Sequence, residues 1–118
     1  MTTVPNDKEA VLDVKMIEVR NGLILSCIPV EILAPLAEVF AYGAEKHQGA
    51  DNWREHTDKH YWLGKIKRHS MKCQSGVRHD VGPGGSGLLH SAHILCNAAC
   101  LVVAQLKEEQ ADADGRED

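Results

Sequence analysis

Apolar and polar positions along the chain predict one hairpin followed by three long helices. Over residues 11–28, two short alternating runs flank Asn21-Gly22, a pair that accepts positive φ in a tight turn. A β-hairpin is expected there, packed on helices or on a second copy, because two strands alone are marginal. From 29 to 46, Ile32, Leu33, Leu36, Val39 and Phe40 recur with helical period. Pro35 is tolerated only in a first turn, so the regular helix starts near Ala34-Pro35 or kinks there. Residues 46–57 read as a loop, with Gly49 and Asp51-Asn52 as turn formers and Trp53 as an anchor in the core. A second helix is expected over 58–74, N-capped by Asp58, with Trp62, Ile66 and His69 on one face and Lys59, Lys67 and Lys72 elsewhere. A Gly-rich loop, 75–87, then feeds the longest apolar run, 88–106, which has no Pro or Gly and reads as a buried helix.

That third helix carries a polar stripe. At about 100° per residue, His90, His93 and Asn97 share one face, with Ser86 and Cys100 near the same line. Such a stripe costs roughly a few kcal/mol of desolvation unless its groups find partners. Histidines satisfied by core hydrogen bonds are the plain reading. The spacing favours one wall of a polar site, which His69 faces from the second helix.

Composition bounds the fold class. The 118 residues are 43% hydrophobic and 25% charged, enough for one core and not two. The expected architecture is mainly α: a three-helix-centred bundle with an N-terminal hairpin. Residues 1–10 are expected to be flexible, 11–107 to form the single helical domain, and the acidic 108–118 to be a disordered tail. The net charge of −4 argues against a nucleic-acid polymer or an anionic membrane surface as partner. No stretch resembles a signal peptide, and the 88–106 run contains two His, Asn and Gln, so it is not read as membrane-spanning. A cytoplasmic location follows. The four cysteines lack Cys-x-x-Cys spacing and read as small buried hydrophobes, with a His93-Cys96-Cys100 zinc cluster as the minor alternative. Leu101, Val102, Val103 and Leu106 add more apolar surface than one small core needs, which predicts a homodimer or higher homo-oligomer.

The loops suggest anion chemistry. Residues 75–87 are no P-loop, since no Gly-Lys-Ser/Thr follows. His79-Asp80 is a literal His-Asp pair, but a metal site of that kind would place it on a helix. What remains is a loop ending at a helix N-terminus, where N–H groups and the dipole favour a phosphate, with Ser86 as ligand or simply as N-cap. Lys46, Asn52 and Arg54 could bind an anion too. Glu38 and Glu45 share a face near Tyr42, and a solvated acidic face is the plain reading of them.

Taken together, Leu36-Ala37-Glu38-Val39-Phe40, Gly43-Ala44-x-Lys46, Asn52-Trp53-Arg54, Arg68-His69, Gly76, Asp80, Ser86-Gly87 and His90-x-x-His93 resemble the phage-borne dATP/dGTP diphosphohydrolase N-terminal-domain family over about residues 29–104. The resemblance implies a mostly helical fold, a purine nucleotide substrate and functional positions at Glu38, Lys46, Asn52, His69, Asp80, His90 and His93. The chain departs from the family pattern where Val77 follows Gly76 and Gly85 precedes Ser86, positions at which the family has carboxylates. Mg²⁺ prefers carboxylate oxygens, so Mn²⁺, Zn²⁺ or Fe²⁺ on imidazoles stays open beside it.

Two functions follow from the resemblance. One is a divalent-metal-dependent hydrolase in which water attacks a phosphate of a purine deoxynucleoside triphosphate. There His69, Asp80, His90 and His93 hold the metal, and Glu38 and Asp80 are the catalytic carboxylates. Lys46, Asn52, Arg68 and Ser86 meet phosphate oxygens, and Trp53 or Tyr42 stacks on the base. The other is a non-catalytic module that sequesters a nucleotide in the same pocket. Either would act in the host cytoplasm if phage-encoded. A helical interaction protein with structural histidines is the third, plainer option.

Overall fold

The computed structural model describes residues 27–115. The hairpin expected over 11–28 lies almost wholly outside them. Among the described residues there are three α-helices and no strand: α1 (Leu33–Lys46), α2 (Lys59–Gln74) and α3 (His90–Gly115). Short 3₁₀ turns sit at Val30–Ile32 and Asn52–Glu55. No helix of the described residues is long and apolar enough to cross a membrane.

Local chemistry explains the boundaries. Pro35 falls in the first turn of α1, where a missing N–H breaks no intrahelical bond. Asp58 caps α2, its carboxylate accepting from the His60 N–H at 3.0 Å. α3 begins two residues later than the apolar run, because Leu88 and Leu89 are used to close the Gly-rich loop. Leu88 O accepts from Asp80 N at 2.8 Å, and Leu89 pairs with His79 in an isolated antiparallel bridge. At the other end α3 continues to Gly115, through most of the segment whose composition reads as a tail, and its residues from Gln105 onward are all exposed. Ala, Gln, Glu and Lys there are good helix formers, and Gln110 bonds Asp114 one turn on at 2.9 Å.

The helix α3 is the centre, with α1, α2 and the Asn52–Glu55 turn all packing against it. The apolar core is small: Val39, Trp62, Ala92, Cys96, Cys100 and Ala104 are buried, and Leu36, Phe40, Trp53 and Tyr61 pack around them. Trp53 anchors its loop as expected, its ring 5.6 Å from Phe40. Lys107 ties the same loop to the far half of α3 by donating to Arg54 O at 3.1 Å. Val102 and Leu106 keep about half their surface exposed, at 53% and 52%. Four polar side chains, His69, His90, His93 and Asn97, are buried as deeply as the core.

Candidate functional site

Those four residues and Asp80 define the site. α2 supplies His69, the first turn of α3 supplies His90 and His93, and the closed Gly-rich loop supplies Asp80 and Ser86. His69 Nδ1 and His90 Nδ1 are 2.8 Å apart, so one proton is shared between them: one ring donates and the other accepts. His93 stacks on His69, with ring centroids 4.5 Å apart and planes 4° from parallel. His93 Nε2 lies 2.6 Å from Ser86 Oγ and 3.8 Å from Asp80 Oδ2. Serine and carboxylate therefore address the same imidazole nitrogen. A nucleophilic Ser-His-Asp triad needs them on opposite ring nitrogens, so that chemistry is not built here.

Asp80 also holds its loop together. Its carboxylate accepts from the Ser86 N–H at 3.3 Å and from the Ser86 hydroxyl at 3.5 Å, and its carbonyl accepts from Gly87 N at 2.7 Å. Ser86 Oγ in turn accepts from Leu88 N at 3.1 Å. The N–H groups expected to greet a phosphate are thus partly taken by this carboxylate, and Ser86 is a loop brace and not the cap of α3. Two glycines make the turn possible. A Cβ at Gly85 would overlap the Asp80 carbonyl oxygen, and Gly87 sits at φ +77, a region disfavoured for other residues. Tyr42 reaches the loop from α1, donating to Gly84 O at 3.4 Å and meeting the His93 ring edge-on at 6.1 Å.

Burial sets the protonation. His69 is held down to about 4, by desolvation first and then by His93, His90 and Arg68, against the pull of Asp80. His93 is lowered too, by burial above all, although Asp80 opposes this. For Asp80 burial acts upward, but the Ser86 N–H and the three imidazoles together keep its carboxyl below the usual range. At neutral pH the cluster is two neutral, stacked imidazoles, His69 and His93, beside a carboxylate.

His93 also lines a cavity of about 490 Å³ between α1, α2, α3 and the Asn52–Glu55 turn, within the usual range of small-ligand sites. Lys46, Lys65 and Arg68 line it, against the single carboxylate of Glu55. This local excess of cations runs opposite to the chain's net charge of −4. Arg68 is exposed and makes no ion pair with a described residue. Other cations rest on aromatic faces: Lys46 over Tyr42 at 5.9 Å, Lys65 over Tyr61 at 4.5 Å, Arg54 over Trp53 at 4.5 Å. The inner wall is Asn97, Cys96 and Cys100. The Cys96 thiol is shifted down chiefly by its hydrogen bond with Cys100, whose own thiol is pushed up by that bond and by burial.

Of the residues singled out by sequence, His69, Asp80, Ser86, His90 and His93 come together, and Lys46, Asn52, Trp53 and Arg68 line the adjoining cavity. Glu38 does not join them: it is exposed on α1, outside the lining, with no hydrogen bond or ion pair to a described residue. Lys65, Tyr61 and His56 line the cavity as well, though they are not among the candidates that motif or charge pattern points to. The available signal was spacing, since Tyr61, Lys65 and His69 stand four apart on one face of α2.

Among the described residues no three His, Cys, Asp or Glu side chains converge as ligands for a metal ion. Three imidazoles and one carboxylate are a suitable donor set for a borderline divalent ion. As they stand, however, two of the nitrogens bond each other and a third bonds Ser86. The expected set does not fit a metal in this arrangement.

Comparison with known proteins places the site in context. A model of the family described as dATP/dGTP diphosphohydrolase, N-terminal, matches residues 15–114. No curated protein and no solved structure matches the chain.

Proposed function

The chain belongs to the dATP/dGTP diphosphohydrolase N-terminal family, and from that premise we propose that it binds a purine deoxynucleoside triphosphate in the cavity beside His93 and hydrolyses one of its phosphoanhydride bonds. The observation that carries this reading is a neutral, buried imidazole, His93, opening onto a cavity rimmed by Lys46, Lys65 and Arg68. Arg68 and Lys46 neutralise phosphate oxygens as charge builds on them. His93 takes the proton of the attacking water. Asp80, 3.8 Å from His93 Nε2, the nitrogen already bonded to Ser86, stabilises the imidazolium that results. Trp53 offers a face for the base. Glu38 has no part in this scheme.

A second reading has its own support. The His69–His90 and His93–Ser86 hydrogen bonds leave the imidazoles satisfied by one another, which suits a rigid pocket that sequesters a nucleotide without turning it over. One experiment separates the two. Purified protein is incubated with each deoxynucleoside triphosphate and Mg²⁺, Mn²⁺ or Zn²⁺, products are followed by chromatography, and binding is followed by calorimetry. The hydrolase reading expects purine nucleotide to be consumed and turnover to fall by roughly 10²-fold or more in His93→Ala. Tight binding with ligand recovered intact establishes the module. Absence of binding under every ion ends both.

A further inference from the structure

One polar atom on the cavity wall is left over. Asn97 is 7% exposed, in the middle of α3, between His93 and Cys100. Its Nδ2 donates to the His93 carbonyl at 2.8 Å. That bond fixes which end of the amide is which, because the flipped amide would set an oxygen against an oxygen. Oδ1 is therefore the free end, and it has no hydrogen-bond partner among the described residues. No side-chain oxygen or nitrogen sealed from solvent lacks a partner among them. Oδ1 is thus not sealed from solvent, and Asn97 is among the residues that line the cavity. An acceptor held by a nine-tenths-buried side chain in so apolar a wall, beside Cys96 and Cys100, is presented to water or to whatever donor displaces it. Asn52 has the same pattern, with Nδ2 tied to His47 O at 2.9 Å, but it is exposed and water can satisfy it.

Chemistry says which part of a ligand would supply that donor. Ionised phosphate oxygens only accept hydrogen bonds, so they cannot answer Oδ1, whereas the amino groups of a base can. Asn97 lies one helical turn beyond His93 along α3, about 6 Å. Lys65 and Arg54, the cations acting on Cys100 there, rest over the Tyr61 and Trp53 rings. Tyr61 and Trp53 also line the cavity, and rings of that kind offer faces on which a base can stack.

We propose that Asn97 reads the base, its Oδ1 accepting a hydrogen bond from an exocyclic amino group of the purine. The proposal rests on the nucleotide-binding reading and specifies the chemistry that reading leaves open. A base lacking the amino group leaves Oδ1 desolvated and unpaired, so the site rejects it.

Calorimetry on the full chain tests this with two ligand pairs: dATP against the purine deoxynucleoside triphosphate without the 6-amino group, and dGTP against dITP. Wild-type protein is expected to bind the amino-bearing member of at least one pair about 10- to 100-fold more tightly. Asn97→Leu should bring that preference close to one while leaving the affinity for inorganic tripolyphosphate unchanged. Asn97→Asp, which keeps the acceptor, should retain part of the preference. If Asn97→Leu does not fold, Asn97→Ala, a smaller change at a helical position, carries the same readout. Equal affinity within both pairs, or a preference that survives in Asn97→Leu, overturns the assignment while tripolyphosphate binding leaves the cavity reading standing. Failure of every nucleotide and of tripolyphosphate to bind overturns both.

Discussion

Two neighbouring regions of this small protein treat buried polar groups in opposite ways. In the knot of His69, His90, His93, Asp80 and Ser86, the polar side chains answer one another over short distances, 2.6 Å for Ser86 to His93 and 2.8 Å for His69 to His90. Along the adjoining cavity wall the groups are unanswered: Arg68 has no ion pair with a described residue and Asn97 keeps a free oxygen. A satisfied buried network adds rigidity, whereas groups within reach of solvent, as Arg68 and Asn97 Oδ1 are, can exchange water for a ligand at little cost. The knot is therefore framework, and the wall presents groups free to meet a ligand. His93 belongs to both, which makes it the residue through which framework and ligand can communicate.

Acid should break the knot first, and this is the largest effect expected. Unfolded, His69 takes up its proton near 6.5; folded, only near 4. Between those values the unfolded chain binds more protons, so stability rises with pH across the window and is lost as pH falls through it. His93 and Asp80 are shifted downward as well, and push in the same direction. With His69 only 6% exposed, its shift alone corresponds to about 3 kcal/mol, at roughly 1.4 kcal/mol per pKa unit. Urea denaturation at pH 7, 5.5 and 4.5 should show falling midpoints, and His69→Gln should flatten the slope. A midpoint independent of pH would mean that the knot is wet.

Removing the brace should cost somewhat less. Asp80→Ala leaves the Ser86 N–H and hydroxyl without their carboxylate, and hydrogen bonds to a charged acceptor are worth about 1.5–3 kcal/mol. A loss of about 2 kcal/mol is expected, together with faster amide exchange across 80–87. The half-exposed wall gives a useful contrast: Asn52→Ala, which removes one exposed hydrogen bond to His47 O, should change stability by well under half of that.

How far these two regions could be read from sequence follows from the same contrast. Helical period placed His69, His90 and His93 on inward faces, and the knot was legible because three imidazoles on apolar helices need partners. The cap at Asp58 and the anchor at Trp53 were legible for equally local reasons. What periodicity could not carry was the pairing of His79 with Leu89 and of Asp80 with Leu88. These contacts have no sequence period, and they delay the start of α3 and turn Ser86 from a cap into a brace. Lys65 was passed over because a lysine in a basic helix looks solvated; only its rest on Tyr61, at 4.5 Å, brings it to the cavity. Glu38, which shares a helical face with Glu45 and takes its functional role from the family resemblance, stays outside both regions, as does Arg54, which rests on Trp53 beside the cavity.

The smallest stability effect should come from the residue that most clearly waits for a ligand. Arg68 is exposed and has no ion pair with a described residue, so Arg68→Ala should shift the denaturation midpoint by less than about 0.5 kcal/mol. It should nevertheless weaken triphosphate binding by about tenfold, the scale of one charge-assisted contact, and reduce the salt dependence of that binding. Arg68 also helps to hold down His69 and His93. Its removal should therefore make the acid loss of stability slightly smaller and complete at slightly higher pH, because each folded imidazole then titrates closer to its unchanged unfolded value and the window narrows from below. A change in pH response without a change in triphosphate affinity would assign Arg68 to the knot alone. A change in affinity with an unaltered pH response would confine it to the wall, and His93 would then be the only link between the two.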